Sequence, residues 1–517
     1  MINRLAVAFE TRRNRGIMDI LYRSTRGDKE IVKSSTAILR GLAPDGGLYV
    51  PDTLPRFTRP WREFGDMHYR EVAFEVMKML LTDYTDDELR HCIDSAYDDK
   101  FDAPDIAPIT CADGDYFLEL YHGRTLAFKD MALSVLPHLM TTALRKARDE
   151  HEIVILTATS GDTGKAALEA FADVPGTRII VFYPKNGVSP VQEKQMVTQE
   201  GKNVLVVGIE GNFDDAQAGV KALFTDTNLL KRMDEAGFAF SSANSINIGR
   251  LVPQVVYYVY AYTRLLKENE IGDNYAVNIC VPTGNFGNIL AAYYAAFMGL
   301  PVKKLICASN ANRVLYDFFK TGTYDKNREF VLTGSPSMDI LVSSNLERLI
   351  YHIAGDDAEK NAALMKRLAR EGVYEISRDM RAELDRFYGG YAPESACADA
   401  IKYLFDKTGY LVDTHTAVAY AVHKKYIKDT GDNTATVVAS TASPFKFARY
   451  VDNALNGKPF KDPGRDEDDF ALSRRLARTA EIPLPQQITK LEHAPVLHDH
   501  VVAPDGMKAE VKRFLGL

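Results

Sequence analysis

The segment HGRTLAFKD, His122 to Asp130, sets Lys129 behind small and apolar neighbours and directly before a helix-like stretch, MALSVLPHLM. Burial disfavours an ammonium ion, so a lysine in such surroundings gives up its proton more readily. The neutral amine can then form a Schiff base with a carbonyl group or take a proton from carbon. A packed aliphatic stem ending in a solvated charge would produce the same local sequence, and the segment alone leaves both readings open.

Two loops supply what a reactive amine lacks. The apolar run EIVILTA ends in TSGDTG, Thr159 to Gly164, ahead of a helix-like stretch. Small residues and hydroxyls there either present N–H and Oγ donors to an anion or simply turn the chain. A nucleotide P-loop is excluded, although Lys165 follows Gly164: Thr159 stands where the first glycine belongs and Ala166 where the magnesium-binding hydroxyl belongs. The run AVNICV ends in PTGNFGN, where Gly284 and Gly287 allow close backbone approach and Asn285 and Asn288 add polar ends, a reasonable cradle for phosphate. Two such loops and a lysine in an apolar setting suggest a cofactor with a phosphate tail and an end that reacts with an amine. Pyridoxal phosphate fits, because its aldehyde condenses with lysine and its ring stores the electrons left by deprotonation of carbon. In ASTASPFKF, Ser440 and Thr441 follow the run TATVVA, so Thr441 offers a hydroxyl to the ring nitrogen, or else caps a strand end.

These loops need a scaffold. From about residue 105, short apolar runs alternate with helical stretches (EIVILTA then GKAALEAFA, RIIVFYP then PVQEKQM, AVNICVP then NILAAYYAAF), which predicts parallel strands with crossover helices and ligands beyond their carboxyl ends. Before that, strand and turn signals run to GLAPDGGLYVP. Helices are expected where Tyr69, Val72, Ala73, Val76 and Leu80 share a face and after Thr85, whose capping box closes with Glu88. Residues 355–410 read as charged and largely helical, ATVVAS as a late strand, and GRDEDD, Gly464 to Asp469, as an exposed linker. The closing segments read as helical, with Met507, Val511, Phe514 and Leu515 packing back onto the body.

Four units are expected: 1–17, a flexible arm or a mis-assigned start, Met18 being the alternative; 18–104, an amino-terminal unit; 105–460, the catalytic body; and 461–517, a linker and helical segment. With 517 residues, 46% apolar and 26% charged, the composition is that of an ordinary globular protein. A net charge of -7 and no basic aromatic stripe argue against nucleic acid as the main partner. No stretch reaches membrane-span length, and Cys92, Cys111, Cys280, Cys307 and Cys397 are widely spaced, as for reduced thiols in the cytoplasm. No metal site is expected, and His498-Asp499-His500 reads as a solvated loop.

In sum the chain resembles the long-form threonine synthases. The similarity runs from Tyr22 to Phe447 through YRSTRG, GLYVP, HGRTLAFKD, TSGDTG, SANSINIGRLVPQ, PTGNFGN, SPSMDI with SSNLERL, DTHTAVA and STASPFKF, in order and at compatible separations. It implies an α/β protein of fold type II among pyridoxal-phosphate enzymes, with parallel-sheet lobes and a small amino-terminal threonine synthase domain. It also implies conversion of O-phosphohomoserine and water to threonine and phosphate. By resemblance, Lys129 carries the cofactor and serves as the base, first at the α and then at the β carbon. Gly284, Asn285, Phe286, Gly287 and Asn288 hold the cofactor phosphate, and Thr441 faces the ring nitrogen. Ser160, Gly161, Asp162 and Thr163 surround the substrate carboxylate, and Asn247 and Arg250 take its phosphate. Arg124 and Thr414 stand where the family's motifs usually have proline. One lobe is expected to close over the substrate, in a monomer or homodimer. The rival readings are a phospholyase that eliminates phosphate without adding water and a noncatalytic binding protein on the same scaffold.

Overall fold

The computed structural model describes residues 19–159, 161–458 and 468–517. The first eighteen residues, including the expected flexible arm, Ser160, and most of the GRDEDD linker lie outside the described residues.

The strands in chain order are β1 (Tyr22–Ser24), β2 (Tyr49–Pro51), β3 (Ile109–Ala112), β4 (Asp115–Glu119), β5 (Glu152–Ala158), β6 (Thr177–Pro184), β7 (Val204–Ile209) and β8 (Phe238–Ser241). They continue with β9 (Val277–Pro282), β10 (Val302–Ser309), β11 (Thr323–Asp325), β12 (Val373–Glu375), β13 (Phe387–Tyr391), β14 (Thr436–Ser440) and β15 (Val501–Val502). Two sheets dominate. One has five strands in the order β15-β7-β6-β5-β8, paired in parallel throughout. The other has six, β13-β10-β9-β14-β4-β3, parallel except for the β3–β4 hairpin. Both faces of these sheets are covered by helices, which is why β7 reads as an unbroken apolar run and β9 is apolar but for Asn278, both buried at every position.

The helix Ile248–Lys267 forms the spine of the core: all of its residues but Arg264 and Lys267 are buried, as its apolar character on every side requires. Helices Ser34–Arg40 and Tyr69–Leu80 of the amino-terminal unit pack on it, and Thr85 and Glu88 form the expected capping box of Asp86–Ala96. Buried residues of this unit run without a break into those of both sheets, from Tyr22 and Val72 through Leu136 and Val255 to Ile155 and Ile279.

Several elements differ from the sequence reading. The expected helix after Lys129 is two, Lys129–Leu133 and Leu136–Ala147, because Pro137 lacks an N–H and suits the first turn of a second helix. The charged stretch 355–410 is helical in part, but FYGGY within it becomes β13, an edge strand on β10. At the carboxyl end, Val501 and Val502 extend the five-stranded sheet beside β7, and Met507, Val511 and Leu515 are buried against residues of β5, β6 and β7, with Phe514 packed at their margin. Four cysteines are buried, and Cys111, on β3, is exposed.

His122 locks the start of the lysine segment. Its Nδ1 lies 2.7 Å from Asp102 Oδ1 and its Nε2 2.8 Å from Glu119 Oε2, so each ring nitrogen faces a carboxylate oxygen and both carry protons. Burial opposes the charge, but hydrogen bonds to Asp102 and Glu119 overcome it and push the imidazole up to about 9. A histidine raised above its ordinary 6.5 contributes stability that is fully present below that pH and lost as pH rises through the folded value. Wild type should therefore exceed His122→Gln by about 1–3 kcal/mol near pH 6, the scale of hydrogen bonds to charged groups. The gap should close toward pH 9–10 in pH-resolved thermal denaturation; a gap independent of pH would show that the ring is neutral.

Candidate active site

Lys129 follows β4, the TSGDTG loop follows β5, PTGNFGN follows β9 and STASPFKF follows β14, so the loops lie beyond the carboxyl ends of strands from both sheets. The lysine segment is laced to the segment after β14: Phe128 N donates to Thr441 O at 2.8 Å, Ser443 N to Leu126 O at 3.1 Å, and Ala127 bridges Ala442. Leu126, at φ 58°, and Phe286, at φ 65°, hold left-handed conformations uncommon for large side chains, and both lie in loops of the site.

The amine of Lys129 is nearly buried. Its Nζ donates to Ser337 Oγ at 3.2 Å and stands 3.6 Å from Asp162 Oδ2. Burial lowers its proton affinity; Asp162 raises it, while the charges of Lys446 and Arg250 lower it again, and the outcome lies below the usual lysine range. Lys165 and Lys446 are also buried but otherwise engaged. Lys165 bonds Gln199 and, at 3.2 Å, Glu169. Lys446 bonds Thr125 O at 2.8 Å and Asp162 Oδ1 at 3.0 Å.

Asp162 is the anion of this cluster. Burial works against its charge, but Lys446, Lys129 and a 3.0 Å hydrogen bond from Gln192 hold the carboxyl far below the ordinary range. Ser337 Oγ donates to Asp162 Oδ2 at 2.9 Å, and Ser337 N donates to His415 Nε2 at 3.1 Å. His415 Nδ1 in turn faces Asp413 Oδ2 at 2.7 Å, which makes Nδ1 the protonated ring nitrogen. Since the Asp162 side chain is an anion, the loop can meet a substrate carboxylate through main-chain N–H groups at the start of helix Asp162–Phe171, where amides lack intrahelical acceptors. Gly161 and Thr163 adjoin this helix start, and Ser160 lies outside the described residues.

The second loop is braced from behind. Asn345 N and Nδ2 both donate to Asn285 O at 3.0 Å, and Ser343 Oγ donates to Gly284 O at 2.7 Å. The helix Gly287–Phe297 starts here with free amides, and Asn288, whose Oδ1 accepts from Tyr258, has a buried Nδ2 without a partner. A Cβ on Gly284 would fall 2.6 Å from Ser337 O. A hydrogen-bond donor left orphaned, amides at a helix start and a nearly buried amine across the cleft fit the phosphate and aldehyde of pyridoxal phosphate.

The remaining expected residues divide. Arg250 is buried, donates from Nη1 to Ala243 O at 2.9 Å, and keeps Nε without a partner; burial pushes the guanidinium down to about 10. Asn247 is spent on structure: its Oδ1 accepts from Gly249 N at 2.9 Å and its Nδ2 donates to Ile38 O at 2.9 Å. Thr441 is buried, and its N donates to Thr416 Oγ1 at 3.3 Å. Arg124 is half exposed and pairs with Glu169 at 2.8 Å, whereas Thr414 is buried. Ser337, His415 and Lys446 were passed over in the sequence. The signal for Lys446 was there: it stands between two phenylalanines, an apolar setting like that of Lys129. Gly284→Ala should weaken cofactor binding at least tenfold, ~1.4 kcal/mol, because the backbone of Ser337 blocks the new methyl group; unchanged affinity in an equilibrium titration would place the cofactor elsewhere.

Three family descriptions match: "Threonine synthase N terminus" at residues 21–97, "Pyridoxal-phosphate dependent enzyme" at 103–441 and "Threonine synthase, C-terminal" at 416–504. Threonine synthase-like 1 of Pongo abelii is 39% identical over 83% of the chain, which spans 58% of that protein's length. Threonine synthase of Pseudomonas aeruginosa is 36% identical, covering 91% of the chain and 97% of that protein. The crystal structure of pyridoxal-phosphate-bound threonine synthase from Brucella melitensis superimposes with a TM-score of 0.85 at 34% identity, covering 96% of this chain and 100% of that one. The chain belongs to the threonine synthase family of pyridoxal-phosphate-dependent enzymes.

Proposed function

We propose that this protein converts O-phospho-L-homoserine and water to L-threonine and phosphate, the last step of threonine synthesis, in the cytoplasm. The observation that carries the reading is a second anion-binding group beside the amine: Arg250, buried, close enough for its charge to act on Lys129, with Nε unpartnered. A site for an ordinary amino acid needs donors for one carboxylate. A substrate that also carries a phosphate needs a further cation, and a guanidinium meets phosphate with two parallel donors.

When bound, pyridoxal phosphate supplies an aldehyde that condenses with amines and a ring that accepts the electron pair left by proton removal from carbon. The loop Gly284 to Asn288 would hold its phosphate, Lys129 would hold its aldehyde, and the Thr441 hydroxyl would face its ring nitrogen. Once a substrate amine has displaced it, Lys129 Nζ is a base whose proton affinity burial has already reduced; it takes the α proton, delivers that proton back to carbon, and, neutral again, takes the β proton. Ser337 Oγ and Asp162 steady the resulting ammonium at the distances described. The helix-start amides at Asp162 and Thr163 bind the substrate carboxylate, and Arg250 grips the phosphate until it leaves. Asn247 serves by capping the helix that carries Arg250. Because the family's reaction adds one water, these groups must admit that water and exclude others.

Purified protein given O-phosphohomoserine should form one threonine and one phosphate per substrate consumed, and Lys129→Ala should form neither. Phosphate released with 2-oxobutyrate in place of threonine would identify a phospholyase, and cofactor binding without turnover a binding protein.

A further inference from the structure

The STASPFKF segment contains a lysine, Lys446, to which the proposed reaction gives no task. Lys446 has no exposed side-chain surface and two protein partners, Thr125 O and Asp162. It sits across Asp162 from Lys129: Asp162 Oδ1 pairs with the Lys446 ammonium at 3.0 Å and accepts from Gln192 at 3.0 Å, while Oδ2 accepts from Ser337 at 2.9 Å and lies 3.6 Å from Lys129. One carboxylate thus stands between two ammonium groups, and the shorter contact belongs to the lysine that does no chemistry.

We propose that Lys446 is a positioning residue that claims the Asp162 carboxylate, so that the reactive amine of Lys129 does not become that carboxylate's sole counter-ion. The need is electrostatic. In a site shielded from water an unshared carboxylate beside an amine stabilises the ammonium strongly and would keep Lys129 protonated, unable to attack an aldehyde or to act as a base. Omitting the carboxylate would leave the amine with Ser337 as a neutral partner but without an anion for the moments when it carries a proton. A second fixed cation on the far oxygen answers both demands. Geometry favours the arrangement: Lys446 is tied to Thr125 O in the loop before Lys129, so its ammonium cannot swing toward the cofactor loop without losing that bond.

Other charged and titratable groups also face the pair. Arg250, from helix Ile248–Lys267, acts on Lys129, and His415, at the start of helix Thr414–Thr430, acts on Asp162. Behind Lys446 lie Asp130, which burial pushes up to about 6, and Lys165 with its partner Glu169. Substituting Lys446 leaves these in place, so variants at Asp162 and Lys446 report on the shared anion.

The proposal rests on Lys129 being the cofactor lysine, and its test is the pH dependence of cofactor uptake, which does not depend on turnover. Apoprotein is mixed with pyridoxal phosphate across a pH series, and the rate of Schiff-base absorbance is fitted for the midpoint of its rising limb. Lys446→Met should move the midpoint alkaline by about one pH unit, a rate about tenfold lower at fixed pH on that limb. Asp162→Asn should move it the other way, and the double variant should return toward wild type. The double variant removes both buried charges together, which keeps the test open should Lys446→Met fold poorly. Equal midpoints in wild type and Lys446→Met, or shifts of one sign in both single variants, would reduce Lys446 to a packing residue. Midpoints that shift as expected in a protein that forms no threonine would reject the reaction and leave the role of Lys446 standing; threonine formation with unmoved midpoints would do the reverse.

Discussion

One carboxylate, Asp162, shared by two buried lysines, is the constraint on which the site depends. Burying a charge is costly unless it is paired and hydrogen-bonded, and the Asp162 carboxylate is paired on both sides: Lys446 and Gln192 on one oxygen, Ser337 and Lys129 on the other. The result is an amine whose proton is held loosely and whose position is fixed. Desolvation and the neighbouring cations lower its proton affinity, and Ser337 orients it. Ser337 is fixed in turn by His415, whose tautomer Asp413 sets.

The amino-terminal unit serves the same site from a distance. Thr25 and Arg26 of the YRSTRG motif bond Glu347, Arg26 through two parallel contacts of 2.9 and 2.8 Å. The next residue, Arg348, is fully buried and bonds Tyr49 O, Ile246 O and Asn345. Asn345 grips Asn285, so the amino-terminal sheet is linked to the PTGNFGN loop through one helix start. The helix Ser34–Arg40 meets Asn247 through Ile38 O, at the cap of the helix that carries Arg250. Residues that look like surface punctuation in the sequence are thus the rear supports of the pocket.

Much of this was legible beforehand, for a physical reason. Parallel strands buried on both faces leave unbroken apolar runs, so β5, β6, β9 and β14 and the loops after them could be read directly. The places of Lys129 and the Gly284 loop, each after a strand end, were readable from the apolar runs before them; their proposed roles follow from residue type. Contacts set by long-range geometry were not. Nothing local says that Ser337 lies beside a lysine more than two hundred residues earlier, or that Lys446 faces Asp162. Nor does sequence separate the side-chain role of Asp162, which is ionic, from the main-chain role that its loop can offer an anion. The edge strand FYGGY hid inside a charged helical region because two glycines obscure its alternation, and Val501-Val502 is too short to signal a strand.

Three buried lysines, at positions 129, 165 and 446, crowd the carboxyl ends of these strands, and the account stands on the first being the one that reacts. Borohydride reduction of the holoprotein, followed by proteolysis and mass spectrometry, decides among them. The pyridoxyl group should be found on the peptide that contains Lys129. Its recovery on Lys446 or Lys165 would contradict the account at its centre.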